Sequence, residues 1–210
     1  MEEEIIDFKK IIRSKYRKLL RVAEKRGSDK EDLALIRKAY KVSADAHKDV
    51  FRRSGEPYII HPLEVALIVS EEIGLGPKSI AAALLHDVVE DSEYTNNQIS
   101  HMFGNSIAHI VEGLTKIQGI FDNQSSSMQI ENFRKLLLSI SSDVRVILIK
   151  MADRLHNMRT LDEMPYAKQL KIASETLYIF APLAHRMGLY HIKIEYEDLG
   201  LKYTEQEVYN

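Results

Sequence analysis

The chain has no cysteine, and only five prolines and nine glycines in 210 residues. Without cysteine there is no disulfide, no thiolate zinc site and no cysteine nucleophile, so any metal must be held by nitrogen and oxygen ligands. An excess of charge is missing too: 29 Lys and Arg stand against 31 Asp and Glu, a net charge of −2. No basic surplus points to nucleic acid, and direct nucleic-acid binding is not expected. A small anion is not excluded, because a neutral chain can still carry a locally basic pocket. No apolar run approaches membrane-spanning length. The start, Met1-Glu2-Glu3-Glu4, lacks the basic residues and apolar stretch of a signal peptide. A cytoplasmic protein without a membrane partner is expected. Hydrophobic residues at 45% and charged residues at 29% are enough for one domain with a real core, or for two small ones.

Apolar residues at helical spacing predict an all-α fold. Residues 3–25 read as an amphipathic helix with Ile5, Phe8, Ile12, Leu19 and Val22 near one stripe. Asp29 is placed to cap a second helix through Lys48. Residues 51–61 read as a loop marked by Gly55 and Pro57. Pro62 suits the first turn of a helix ending at Gly74. Pro77 opens the next, an almost wholly apolar helix from Ser79 to about Val89. Short helices are expected over 96–104 and 106–115, a mobile loop over 119–129, and helices over 130–140, 143–160 and 165–188. The run Val144-Arg-Val-Ile-Leu-Ile149 also suits a strand. It is read as helix because the apolar pattern continues through Met151, Leu155 and Met158. Tyr190–Tyr196 alternates like a strand but is also given as helix.

Ionisable residues collect where that pattern is most apolar. His86 and Asp87 fall near the end of the helix opened by Pro77, and a charged Asp there is costly to bury unpaired. Glu90 follows His86 by four residues and Asp91 follows Asp87 by four, so a persisting helix or tight turn puts each pair on one face. Carboxylates this close raise one another's pKa unless a cation is present. His61 precedes Pro62 at a helix start. Asp153 lies in an apolar helix and forms a polar stripe with Asn157 and Thr160. Asp153 alone could equally pair with Lys150 or Arg154. Together, His61, His86, Asp87 and Asp153 make a two-His, two-Asp ligand set from three helices. Such a set suits a six-coordinate ion with positions open for water and substrate, and Mn²⁺ fits best.

These residues sit in four ordered motifs: Arg52-Arg-Ser-Gly-Glu-Pro-Tyr-Ile-Ile-His-Pro62, Ala83-Leu-Leu-His-Asp-Val-Val-Glu-Asp91, Lys150-Met-Ala-Asp-Arg-Leu-His-Asn-Met-Arg-Thr160 and Ala181-Pro-Leu-Ala-His-Arg-Met-Gly188. All four resemble the hydrolase (HD) domain of the RelA/SpoT family, from about residue 30 to 205. The resemblance implies an HD-domain helical bundle of roughly ten helices. It also implies a guanosine-3′,5′-bis(diphosphate) 3′-pyrophosphohydrolase, usually with manganese. Such an enzyme converts the alarmones ppGpp and pppGpp to GDP or GTP and pyrophosphate and ends the stringent response. By the same resemblance, residues 1–196 form the hydrolase domain and 197–210 begin a linker towards a synthetase domain. The full-length protein would carry that domain and regulatory domains.

The constellation assigns Glu90 as general base and Asp91 as its partner in positioning the attacking water. By resemblance Arg52 and Arg53 face the guanine nucleotide, and Asn157 and Thr160 match nucleotide-contacting positions. Ser54 is a further candidate. Arg53 stands where the family commonly has Lys, which keeps charge but changes donor geometry. Arg134 and Lys135 could close over the pyrophosphate or be solvated surface charge. His156, His47 and His185 read as supporting or core histidines. Two alternatives stand beside this reading: another HD nucleotidase or phosphodiesterase, and an alarmone-binding module held in a hydrolase-off state.

Overall fold

The computed structural model describes residues 7–122 and 143–205. Among them every regular element is helical, and the one β-bridge pairs Phe51 with Pro57. The all-α expectation therefore holds. The ends of several helices do not fall where the sequence placed them.

Helix α1 spans Phe8–Lys25 and is capped by Asp7, whose carboxylate accepts from the Lys10 amide. Its inward stripe is Ile12, Tyr16, Leu19 and Ala23. Val22 lies at the margin of that stripe rather than on it, because the 3.6-residue repeat favours positions 12, 16, 19 and 23. Helix α2, Lys30–Ala46, starts with the expected cap at Asp29, reinforced by Asp32 in a capping box. It stops two residues earlier than predicted, at His47. Tyr16 and Tyr40 stack across α1 and α2 with ring centroids 4.1 Å apart.

The loop 47–59 folds back tightly. Arg52 N–H donates to the Glu56 carbonyl at 2.9 Å and Gly55 N–H to the Arg52 carbonyl at 2.9 Å. Gly55 sits at φ +82°, a conformation only glycine adopts cheaply. Helix α3, Ile60–Leu67, continues as a π-helical turn through Ile68–Ile73 and ends at Gly74, as the sequence indicated.

The helix opened by Pro77 departs most from expectation. The apolar pattern predicts one continuous helix to about Val89. Helix α4 is Pro77–Leu84, residues 85–87 form a turn, and a single-turn helix α5 follows at Val88–Asp91. The His86 Nδ1–H donates to the Ala83 carbonyl at 2.8 Å. In an unbroken helix that carbonyl would receive the Asp87 amide. The imidazole takes its place and the chain turns.

Helix α6, Asn96–Phe103, is closed by a Thr95–Gln98 capping box. Helix α7, Asn105–Asp122, runs seven residues past its predicted end at Thr115. Residues 119–122 of the proposed mobile loop are therefore helical. The rest of that loop, the 130–140 helix and the candidates Arg134 and Lys135 lie outside the described residues. Helix α8, Val144–Arg159, is the ambiguous β-branched run; it is helical as read, and Asp143 caps it through the Arg145 amide. A 3₁₀ turn at Leu161–Glu163 leads to α9, Tyr166–Glu175, a π-helical stretch at Thr176–Phe180, α10 at Ala181–Arg186, and α11 at Tyr190–Thr204. The stretch 197–204, expected to begin a linker, is part of α11.

The centre of the fold is α3, α4, α7 and α8 packed on one another. Helices α7 and α8 meet at Gly113, where an added Cβ would stand 2.8 Å from a Val146 methyl. Tyr196 fixes α11 to α8: it is fully buried and its hydroxyl donates to the Met151 carbonyl at 2.6 Å. Among the described residues no helix is long and apolar enough to cross a membrane.

Candidate metal centre

Three core elements each deliver one part of the cluster. His61 comes from the first turn of α3, His86 and Asp87 from the turn between α4 and α5, and Asp153 from the middle of α8. The donor atoms of His61, His86 and Asp153 all lie within 4.8 Å of one another, and all three residues are buried. The two Nε2 atoms face each other at 3.2 Å. Asp153 Oδ1 is 3.2 Å from His61 Nε2 and 3.9 Å from His86 Nε2. Asp87 lies outside that close group of three, with its Oδ2 2.9 Å from His86 Nε2 and 3.7 Å from His61 Nε2. Adjacent donors of an octahedral ion with ~2.1 Å bonds stand roughly 3 Å apart, and opposite donors roughly 4.2 Å. The observed spacings fall in that range.

The surroundings orient these donors. With Nδ1–H given to the Ala83 carbonyl, His86 turns Nε2 to the cluster, where that nitrogen can give up its proton to bind an ion. His61 Nδ1 meets His156 Nδ1 at 2.8 Å. Burial and the neighbouring His61 press His156 down to about 2, so it stays neutral, and one proton lies between the two Nδ1 atoms. When His61 carries that proton, its Nε2 keeps a lone pair for an ion. Tyr58 donates its hydroxyl to Asp87 Oδ2 at 2.6 Å. Asp153 is held at both oxygens: Asn157 Nδ2 donates to Oδ1 at 2.7 Å, and the buried Lys150 Nζ donates to Oδ2 at 2.6 Å.

The electrostatics favour positive charge at the cluster. Burial alone would raise both carboxyls. The charge of His86 holds Asp87, and that of Lys150 holds Asp153, below the usual carboxylate range. Burial pulls His86 down, yet Asp87 and Asp153 outweigh it and lift the imidazole to about 9. Positive charge is thus favoured between the two Nε2 atoms, where a divalent ion satisfies both lone pairs and both carboxylates. The donor set fits such an ion.

Glu90 and Asp91 stand on α5 at the rim, both open to solvent. Because the helix breaks at residues 85–87, they belong to a separate turn and do not prolong the α4 face. Their amides still close back on the Asp87 carbonyl, at 3.1 and 2.9 Å. Partial burial of its carboxyl and the charge of Asp87 push Glu90 up to about 7. Asp91 Oδ2 lies 3.6 Å from His47 Nε2.

A cavity of about 230 Å³ opens nearby, and Arg52, Arg53, Ser54, Asn157 and Thr160 all line it. Arg52 joins it to the cluster. Its guanidinium donates to Thr160 Oγ1 at 3.1 Å and Asn157 Oδ1 at 2.9 Å, and comes within 3.4 Å of His61 Nδ1.

Sequence reasoning missed Tyr58 and saw Lys150 only as a competitor for Asp153. The structure gives Asp153 both roles, one oxygen to Lys150 and the other to the histidines. The signal was present: Lys150 lies three residues before Asp153 in an apolar helix, where an unpaired ammonium would not be tolerated. Tyr58 gave no periodic signal, since it comes from an irregular loop.

Comparison with known proteins follows the same lines. Residues 39–190 match the model of the family described as HD domain. A protein named GTP pyrophosphokinase from Myxococcus xanthus is 49% identical over 179 residues, 84% of this chain and 24% of that protein. The bifunctional (p)ppGpp synthase/hydrolase SpoT of Escherichia coli is 47% identical over 172 residues, covering 82% and 24%. A guanosine-3′,5′-bis(diphosphate) 3′-pyrophosphohydrolase of Haemophilus influenzae is 49% identical over 161 residues, covering 77% and 24%. The chain thus spans about a quarter of the length of these relatives. A solved structure, described as a metazoan ortholog of SpoT that hydrolyzes ppGpp, superposes with a TM-score of 0.51 at 22% identity, over 84% of this chain and 97% of that one. At that identity it speaks for the fold alone. The RelA/SpoT resemblance carried by the four motifs holds in these relatives, and the chain belongs to the HD-domain family.

Proposed function

We propose that this chain removes the 3′-pyrophosphate of ppGpp and pppGpp, yielding GDP or GTP and pyrophosphate. The names of the relatives divide between synthesis and hydrolysis. The observation that favours hydrolysis is the close group of His61, His86 and Asp153, with Asp87 against His86, beside a cavity that Arg52, Arg53 and Arg159 help to line. Those four residues would hold the ion, with Mn²⁺ as the reading for a nitrogen and oxygen set with open positions. When bound, the ion supplies positive charge at the phosphoryl oxygen and makes a nearby water more acidic.

The chain's own residues do the rest. Arg52 and Arg53 bind the nucleotide, with Asn157, Thr160 and Ser54 beside them, and the guanidinium forks match phosphate or base edges. Glu90, poised near neutral pH, takes a proton from the attacking water, while Asp91 holds that water in place. The water oxygen bonds to the phosphorus carried by the ribose 3′ oxygen. The bond from phosphorus to that oxygen breaks, and the departing oxygen takes up a proton. Partial burial and the charge of Asp87 raise the Glu90 carboxyl, which supports a part in proton transfer beside one in binding. We place the protein in the cytoplasm, with the helices through α11 as the hydrolase part of a longer protein that carries synthetase and regulatory domains.

Pyrophosphate release from ppGpp tests the proposal. Release is expected with Mn²⁺, absent with chelator, and lowered at least 100-fold in Asp87→Ala. Tight ppGpp binding without release in excess Mn²⁺ would replace it with a binding module. Orthophosphate release from nucleoside monophosphates in preference to ppGpp would point to another HD enzyme.

A further inference from the structure

His47 closes α2, is 3% exposed, and lies outside the ligand cluster. Its Nδ1–H donates to the Ser43 carbonyl at 2.8 Å. Its other nitrogen, Nε2, is fully buried and has no hydrogen-bond partner. A buried polar atom without a partner is rare, and beside a reactive centre it calls for a functional account. Nε2 faces Asp91 Oδ2 at 3.6 Å.

The ring cannot easily turn away. The Ser43 contact holds one edge, and Tyr58 packs against its face with centroids 4.7 Å apart. Tyr58 is itself tied to Asp87. Asp91 is the opposite case, a side chain 42% exposed on a helix of one turn. A carboxylate so placed samples several rotamers, and one that must hold a water in line needs to be confined.

We propose that His47 is a positioning residue for Asp91: its buried Nε2 closes on Oδ2 through one shared proton and fixes the carboxylate towards the attacking water. The inference rests on the reading of Asp91 as partner of the general base. A separation of 3.6 Å is long for a hydrogen bond, but contacts of this kind tighten when substrate arrives. Since Nδ1–H is already given to the Ser43 carbonyl, a proton on Nε2 leaves the ring positively charged, and the Asp91 carboxylate balances that charge.

Two half-replacements of the ring separate this role from packing. His47→Gln puts an amide nitrogen close to the place of Nε2 and gives up the Ser43 contact. His47→Asn keeps a donor near Nδ1 and gives up Nε2. Steady-state hydrolysis of ppGpp would be measured for both, for Asp91→Asn and for the double variant His47→Asn/Asp91→Asn. Melting with and without Mn²⁺ serves as the second readout. The expected result is a roughly tenfold lower kcat in His47→Asn with unchanged KM and unchanged Mn²⁺-induced melting shift. His47→Gln keeps kcat within about threefold, and His47→Asn costs nothing further once Asp91 is Asn. Equal losses in both ring variants, or a greater loss in Gln than in Asn, would make His47 a packing residue and overturn the proposal. Loss of a second equivalent of bound Mn²⁺ in His47→Asn would make it a ligand instead and overturn it too. A slow Asp91→Asn beside a fully active His47→Asn removes His47 alone, whereas full activity in Asp91→Asn removes the role of Asp91 itself.

Discussion

Replacing Lys150 with Met tests the charge balance at the centre of the site. Lys150 and Asp153 are both almost fully buried and joined at 2.6 Å across one turn of α8. Met keeps most of the apolar stem and removes the ammonium, so the change is mainly one of charge. Breaking a buried ion pair by removing one partner costs about 3–5 kcal/mol, because the remaining charge is stranded. For a chain of this size each kcal/mol moves the melting temperature by ~2–4 °C, so the metal-free variant should melt roughly 6–20 °C lower.

A divalent ion changes the outcome, because it answers the same carboxylate from its other oxygen. In the variant Asp153 is no longer shared, and Mn²⁺ affinity should rise at least about tenfold, or ~1.4 kcal/mol. The Mn²⁺-induced rise in melting temperature should then exceed that of the unaltered chain by roughly 3–6 °C at equal saturating metal. Differential scanning fluorimetry in chelator and across a Mn²⁺ series reads both quantities. Equal Mn²⁺-induced shifts in the two proteins would refute the idea that ion and ammonium answer one carboxylate. A variant that melts like the unaltered chain in chelator would show that the ion pair contributes nothing.

Two further outcomes follow from the same geometry. Glu90 must be ionised to take a proton, and its carboxyl sits near 7 before any ion adds positive charge that lowers it; kcat/KM should therefore fall about tenfold per pH unit on an acid limb at or below about pH 7, and Glu90→Gln should lose at least ~100-fold in turnover while keeping its Mn²⁺-induced melting shift, so a pH profile flat down to pH 5 would remove Glu90 as the base. Tyr58→Phe deletes the 2.6 Å hydrogen bond to Asp87 and should weaken Mn²⁺ binding roughly tenfold by calorimetry; unchanged affinity would mean that Asp87 needs no outside support.

Most of the helices could be read from the chain because caps, glycine stops and 3.6-residue periodicity are local signals. The Asp29 cap, the Gly74 stop and the helical identity of 144–159 all come from such patterns. The boundary that moved at α4 was decided by side-chain competition for a backbone carbonyl. Helix α7 runs on past Thr115 through Gly119, where composition suggested a loop. Helix α4 ends early because one imidazole takes a backbone carbonyl. No propensity scale records that exchange, since it depends on where the ring is needed.

That break is also what makes the cluster possible. In a continuous helix, neighbouring residues point about 100° apart, and His86 and Asp87 would diverge. The turn at 85–87 lets both reach the same point, with Asp87 Oδ2 2.9 Å from His86 Nε2. The hydrogen bond that interrupts the helix also fixes the His86 tautomer and frees Nε2 for the ion. Residue types and spacing were therefore enough to nominate the donors. Which way each one faces is set by Ala83, Tyr58, Lys150 and His156, groups that lie in the same motifs but act on the donors only through the folded chain.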